Sequence, residues 1–184
     1  AFGICATIIL LGFGILRCGS SQDLNASIVV PTPSDNPQSR AKIALGRQLF
    51  FDKRLSLDGS ISCASCHDPN KAFTDNLPKS KGIKGQLSER NGPSILNAAF
   101  LKTAMFDAHL ESLELQVIVP IQEAVEMGHN MKVLIGQLRK IPEYQAAAKS
   151  IYNREFDAWV LTRSIAAFER SLLSMNAPFD RYMK

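Results

Sequence analysis

Ser62-Cys63-Ala64-Ser65-Cys66-His67-Asp68-Pro69 decides how this chain is read. Two thiols three positions apart, with an imidazole directly after the second, form the attachment pattern of a covalently bound c-type haem. The thiols add across the two haem vinyl groups, and His67 is thereby held beneath the iron as its proximal ligand. A CxxC redox pair and half of a zinc site are the other chemistries that use this cysteine spacing. Neither needs a His at the next position, and among the four cysteines there is no second CxxC to complete four zinc ligands.

Outward from the motif, the apolar residues recur at helical spacing. Arg40 to Phe51 places Ile43, Leu45, Leu49 and Phe50 on one face, so this segment is read as a helix with a buried side. Ser112 to Val119 reads as a short buried helix ending before Pro120, and Lys132 to Lys140 as another, stopped near Pro142. The longest runs from an Asp157 N-cap to about Met175, with Val160, Ile165, Phe168 and Leu172 as its inner stripe; Phe156 and Leu161 are placed to staple its first turn. No segment alternates as a strand. Between Asp68 and Asn97, glycines and prolines predict long loops, and wrapping a haem accounts for their length. The fold class is therefore all-α: a c-type cytochrome domain with long haem-wrapping loops, over residues 40–184, preceded by an N-terminal apolar segment.

That segment, Phe2 to Leu16, is an uncharged apolar run closed by Arg17. It is long enough for a signal-peptide core and at the short limit for a spanning helix. Residues 1–18 are read as a retained membrane anchor, with a cleaved signal and a lipidated Cys18 as the alternatives; Cys5 behaves as a small hydrophobe. Residues 19–39, with Pro31, Pro33 and Pro37 among Ser, Asn, Asp and Gln, lack apolar periodicity and read as a flexible tether. The formal charge of +4 is modest, and Lys79, Lys81 and Lys84 are its one local cluster. They fit either a solvated loop or a docking site for an acidic redox partner. No Gly-rich phosphate loop or aromatic-interleaved basic patch points to nucleic acid.

From Leu45 to Tyr182 the chain resembles the N-terminal haem domain of the bacterial dihaem cytochrome c peroxidase and MauG family. The matching motifs are Leu45-Gly46-Arg47-Gln48-Leu49-Phe50-Phe51-Asp52, the haem motif, Arg90-Asn91-Gly92-Pro93-Ser94, Ser112-Leu113-Glu114-Leu115-Gln116, Pro120, Glu126-Met127, Ala167-Phe168-Glu169-Arg170-Ser171-Leu172 and Pro178-Phe179-Asp180-Arg181-Tyr182. The resemblance implies one covalent haem c in this chain and hydrogen peroxide as substrate. It also implies an electron-donor cytochrome or membrane redox complex as partner, and a place on the periplasmic side of the bacterial cytoplasmic membrane. Cleaving a peroxide bond needs an open iron position, a group that moves a proton between the two oxygens, and polar contacts that orient the molecule. Glu126 matches the family's distal acid/base carboxylate, with Gln116 and Pro120 matching its neighbours in the pocket. A solvated loop Glu and an ordinary helical Gln are the plainer reading of the same residues.

The departures from the family pattern carry their own expectations. Many dihaem peroxidases mask the peroxidatic iron with a loop His, and the matching place in Lys81-Gly82-Ile83-Lys84-Gly85 holds Ile83. The resemblance then implies a five-coordinate haem, as in the MauG branch, unless Met127, Met131, His109 or His129 fills the site. His109 and His129 are read as polar surface residues and Met127 as packing. Met105-Phe106-Asp107-Ala108-His109 has Phe106 where the family has an electron-relay Trp, and the family continues into a second CxxCH domain past the position of Lys184. Asn91 matches a residue near the interdomain calcium, whose other ligands belong to that second domain, so no calcium is expected. Two functions follow: a membrane-tethered haem peroxidase, and a one-haem electron-transfer subunit of a membrane complex. A haem-based sensor ranks third.

Overall fold

Helix α1 (Arg40–Phe50) and helix α7 (Ala158–Arg170) pack along each other and make the frame of the domain. The Ser39 side chain accepts the Lys42 amide hydrogen bond at the start of α1, and Asp157 caps α7 through the Val160 amide at 2.9 Å. Leu45, Leu49 and Phe50 meet Val160, Leu161, Ile165 and Phe168, all buried, and each such side chain contributes about 1.5–3 kcal/mol on leaving water. Gly46 is where the backbones come closest: a Cβ there would lie 1.8 Å from the Ser164 carbonyl oxygen.

The computed structural model describes residues 29–175 and 177–182. The expected anchor at residues 1–18, with Cys5 and Cys18, lies outside the described residues, and among those described no helix is long and apolar enough to cross a membrane. Between α1 and α7 come α2 (Cys63–Cys66), α3 (Leu113–Gln116), α4 (Ile118–Gln122), α5 (Met131–Leu138) and α6 (Pro142–Tyr152); α8 (Pro178–Tyr182) follows. The described residues contain no strand, only three isolated bridges within the loops.

Three expectations need correction. The helix expected over residues 112–119 does not end before Pro120: Ser112 caps α3, Val117 leads into α4 with helical dihedrals (φ −53°, ψ −30°), and Pro120 lies inside the first turn of α4. First-turn amides have no partner within the helix, so a proline there costs no hydrogen bond. Pro142 not only ends the segment before it; it occupies the first position of α6, a helix absent from the sequence reading, which closes on Asn153 at φ 53°. The longest helix stops at Arg170, short of Met175.

The tether boundary also moves. Asn36 is fully buried, its Nδ2 donating to Glu114 Oε1 at 2.7 Å and to the Arg163 carbonyl at 3.0 Å, while its Oδ1 accepts from Lys42 Nζ at 3.2 Å. Gln38 Nε2 donates to the Ala167 carbonyl at 3.0 Å. A polar stretch can join a core when its amide groups find such partners, and composition does not reveal that they will.

Candidate haem site

α2 is a single turn, stiffened where Ser65 Oγ accepts the Ser62 amide at 3.0 Å. One turn of helix sets residues three apart on the same side, so Cys63 and Cys66 face one way. His67 follows, its amide bonded to the Cys63 carbonyl at 2.9 Å. Its Nδ1 lies 3.1 Å from the Phe73 carbonyl and 3.0 Å from the Pro93 carbonyl. Carbonyl oxygens only accept, so the tautomer that satisfies both carries its proton on Nδ1 and leaves the Nε2 lone pair free for a metal. Burial lowers the His67 pKa, against the two carbonyl bonds and Asp75, and keeps the ring neutral, as ligation requires. Gly92 lets the chain carrying Pro93 approach: a Cβ there would stand 2.8 Å from the Cys66 carbonyl.

Both thiols are free. Burial pushes each above the usual thiol range, helped at Cys63 by the charge of Glu169 and at Cys66 by those of Asp75 and Glu126. A CxxC redox pair works through a thiolate of depressed pKa, which is the opposite trend. Among the described residues, no three His, Cys, Asp or Glu side chains gather as a metal cage. Cys63, Ala64, Phe73 and Ile95 pack against the apolar core, and neutral thioethers suit that setting. The residues present fit a covalently held haem with His67 as its ligand.

The second half of the site is a loop. α3 ends on Gln116, half-buried, and Pro120 lies about one helical turn further on. The loop after α4 is folded back by the Met127 amide on the Pro120 carbonyl at 3.1 Å, by the Glu126 and Gly128 amides on the Glu123 carbonyl at 3.0 and 2.9 Å, and by the His129 amide on the Ile121 carbonyl at 2.7 Å. The Met127 bond thus folds the loop that carries Glu126 back onto Pro120. The Glu126 side chain is half-buried, and desolvation first, then the charge of Glu123, raises its pKa above the ordinary carboxylate range. Its charge adds to the desolvation that raises the Cys66 thiol.

Three of the candidate sixth ligands are otherwise employed. Met127 is buried in the apolar core, as expected. His129 is no surface residue: it is 3% exposed, with Nδ1 at 3.2 Å from the Asn130 carbonyl and Nε2 at 3.2 Å from Gln137 Oε1. His109 is exposed and pairs with Asp107. Phe106 is 84% exposed, with the Arg90 guanidinium 3.9 Å over its ring. Lys79, Lys81 and Lys84 are all exposed, while Ile83 among them is buried. The residues that sequence missed are Phe73 and Pro93, which act through carbonyls and leave no side-chain signal, and Glu169, a buried carboxyl inside an amphipathic helix.

Residues 40–184 match the sequence profile of the di-haem cytochrome c peroxidase family. The methylamine utilization protein MauG of Methylorubrum extorquens is 37% identical over 155 residues, 83% of this chain and 44% of that protein. Cytochrome-c peroxidase IdrP1 of Pseudomonas sp. strain SCT is 40% identical over 159 residues, 83% of this chain and 41% of that protein. The crystal structure of a MauG-like protein associated with microbial copper homeostasis superposes with a TM-score of 0.79 at 33% identity, covering 88% of this chain and 49% of that one. The chain thus spans less than half the length of these relatives.

Proposed function

The chain belongs to the di-haem cytochrome c peroxidase family, and from that premise we propose that it is a periplasmic, membrane-tethered c-type cytochrome whose haem site reduces hydrogen peroxide with electrons from a redox partner. Cys63 and Cys66 would hold a haem c covalently, and His67 would be the protein's ligand to its iron. When bound, the haem supplies an iron position for peroxide and the path by which electrons enter the O–O bond.

The chain's own residues do the rest. Peroxide takes up two electrons and two protons and leaves as two molecules of water. Glu126 accepts the proton of the nearer oxygen and returns it to the farther one, which then departs as water. Desolvation raises the Glu126 pKa, which favours its holding the proton between the two halves of that transfer. Gln116 orients the bound peroxide through its side-chain amide. Pro120 sets the shape of the pocket through its carbonyl, which fixes the loop at Met127. The half-buried Glu126, in a loop held to Pro120 by the Met127 amide and joined through its own carbonyl to the turn beside Cys66, is the observation that carries this reading. The exposed Lys79, Lys81 and Lys84 are the docking face for an acidic donor, another cytochrome or a membrane redox complex, which must deliver both electrons.

The test is spectroscopic and kinetic. The ferric protein is high-spin as isolated, and Glu126→Gln slows peroxide turnover by roughly two to four orders of magnitude, the usual range for general acid/base catalysis. A low-spin spectrum from a Met or His ligand, with turnover unaffected by the substitution, establishes instead the one-haem electron-transfer subunit, which the Phe at 106 favours.

A further inference from the structure

Among the described residues no side-chain hydrogen bond fixes the height of Glu126 in the pocket, yet its main chain is gripped from outside its own loop. The Ile83 amide donates to the Glu126 carbonyl at 2.8 Å. A Cβ on Gly82 would stand 1.9 Å from the Val125 carbonyl oxygen and 2.8 Å from both the Cα and the carbonyl oxygen of Glu126, so the two segments touch backbone to backbone. The Ile83 side chain is 3% exposed and lies under Gly128, where an added Cβ would meet Ile83 Cδ1 at 2.6 Å; Gly128 is at φ +60°. On its other side the same turn reaches the attachment helix, with the Lys81 carbonyl 4.0 Å from Cys66 Sγ. The turn closes on itself through the Gly82 amide to the Gln86 carbonyl at 2.8 Å, and the Ser88 amide to the Ser80 carbonyl at 2.9 Å.

We propose that Gly82 and Ile83 are positioning residues for the distal carboxylate: the turn that carries them spans from Cys66 to Glu126 and sets where the Glu126 carboxyl stands relative to the covalently attached haem. This rests on the reading of Glu126 as the acid/base group. The sequence points at this turn only for its lysines and for the imidazole it lacks; the backbone contact between Gly82 and Glu126 is a property of the fold. A proton-transfer group displaced by about 1 Å can lose on the order of a hundredfold in rate with its chemistry intact.

The experiment is a double-mutant cycle on the haem-loaded protein, with Gly82→Ala and Ile83→Ala each made alone and with Glu126→Gln. Two rates are followed: peroxide turnover, and cyanide association with the ferric haem across pH, which needs a distal base to take the proton of HCN and involves no turnover. Expected is a roughly ten- to hundredfold fall in both rates for each variant alone, a shifted pH limb for cyanide, recovery with Ile83→Val, and no additional loss in the Glu126→Gln background. Losses that add fully in that background, or single variants with unchanged rates, overturn the proposal. If Gly82→Ala does not retain haem, Ile83→Ala carries the same cycle, since it keeps the amide and removes only the packing under Gly128. A Glu126→Gln variant that is itself fully active fails the functional reading, a result separate from failure of the turn.

Discussion

Glu169 shows what burial does to one carboxyl. It sits on α7 beside the Arg170–Glu114 ion pair, and desolvation, opposed by Arg170 and reinforced by Glu114, pushes its pKa up to about 8. In the unfolded chain it titrates near about 4.3. Between those values the folded protein holds a proton that the unfolded chain has lost, so this residue makes stability fall as pH rises through the window, and the loss is complete above about 8. Glu169→Gln is expected to remove that slope, gaining up to about 4 kcal/mol on the wild type between about pH 5 and pH 9. Urea unfolding of both proteins at the two pH values checks it, and parallel curves would refute it. The haem motif was legible at this scale because its chemistry is local to five residues. The holders of His67 were not: they are carbonyls 6 and 26 positions away, and any residue type supplies a carbonyl.

At the scale of elements, Gly46 decides how near α1 and α7 can come. In an exposed helix, Gly to Ala is favourable by roughly 0.5–1 kcal/mol. Here the new methyl would enter the Ser164 carbonyl at 1.8 Å and crowd Phe168 Cβ at 2.9 Å. Gly46→Ala is therefore expected to destabilise by about 1–3 kcal/mol, the range for overpacking, which for a domain of this size lowers the melting temperature by roughly 2–4 °C per kcal/mol. A melting temperature at or above the wild type's would show that the helices can separate at little cost. α1, α5 and the start of α7 were readable from periodicity and caps. α6 was not, because a proline that ends one helix and begins the next reads as a stop. The passage of the chain through Val117 into α4 was hidden for a related reason: Pro120 looked like an end, and only its place in a first turn makes it tolerable.

For the whole molecule, the resemblance carried the family and the helical fold, since both follow from the order of motifs. The turn that touches both Cys66 and the Glu126 backbone makes those contacts through main-chain geometry, invisible to a motif. Electron delivery is a property at this scale too. If an acidic partner meets the exposed lysines at 79, 81 and 84, stopped-flow reduction of the haem by that partner slows as ionic strength rises, because the Debye length shrinks to about 10 Å at 0.1 M salt. A rate indifferent to salt would move docking elsewhere, with the exposed Phe106 face as the first alternative.

The frame itself has a consequence for how the molecule comes into being. α1 finds its partner only when α7 arrives, roughly a hundred residues later in the chain, and closing a loop of that length precedes any reward from their packing. Cys63 and Cys66 lie between the two. During synthesis the thiols therefore emerge well before the core that will half-cover them can form, so both stand on open polypeptide until α7 arrives.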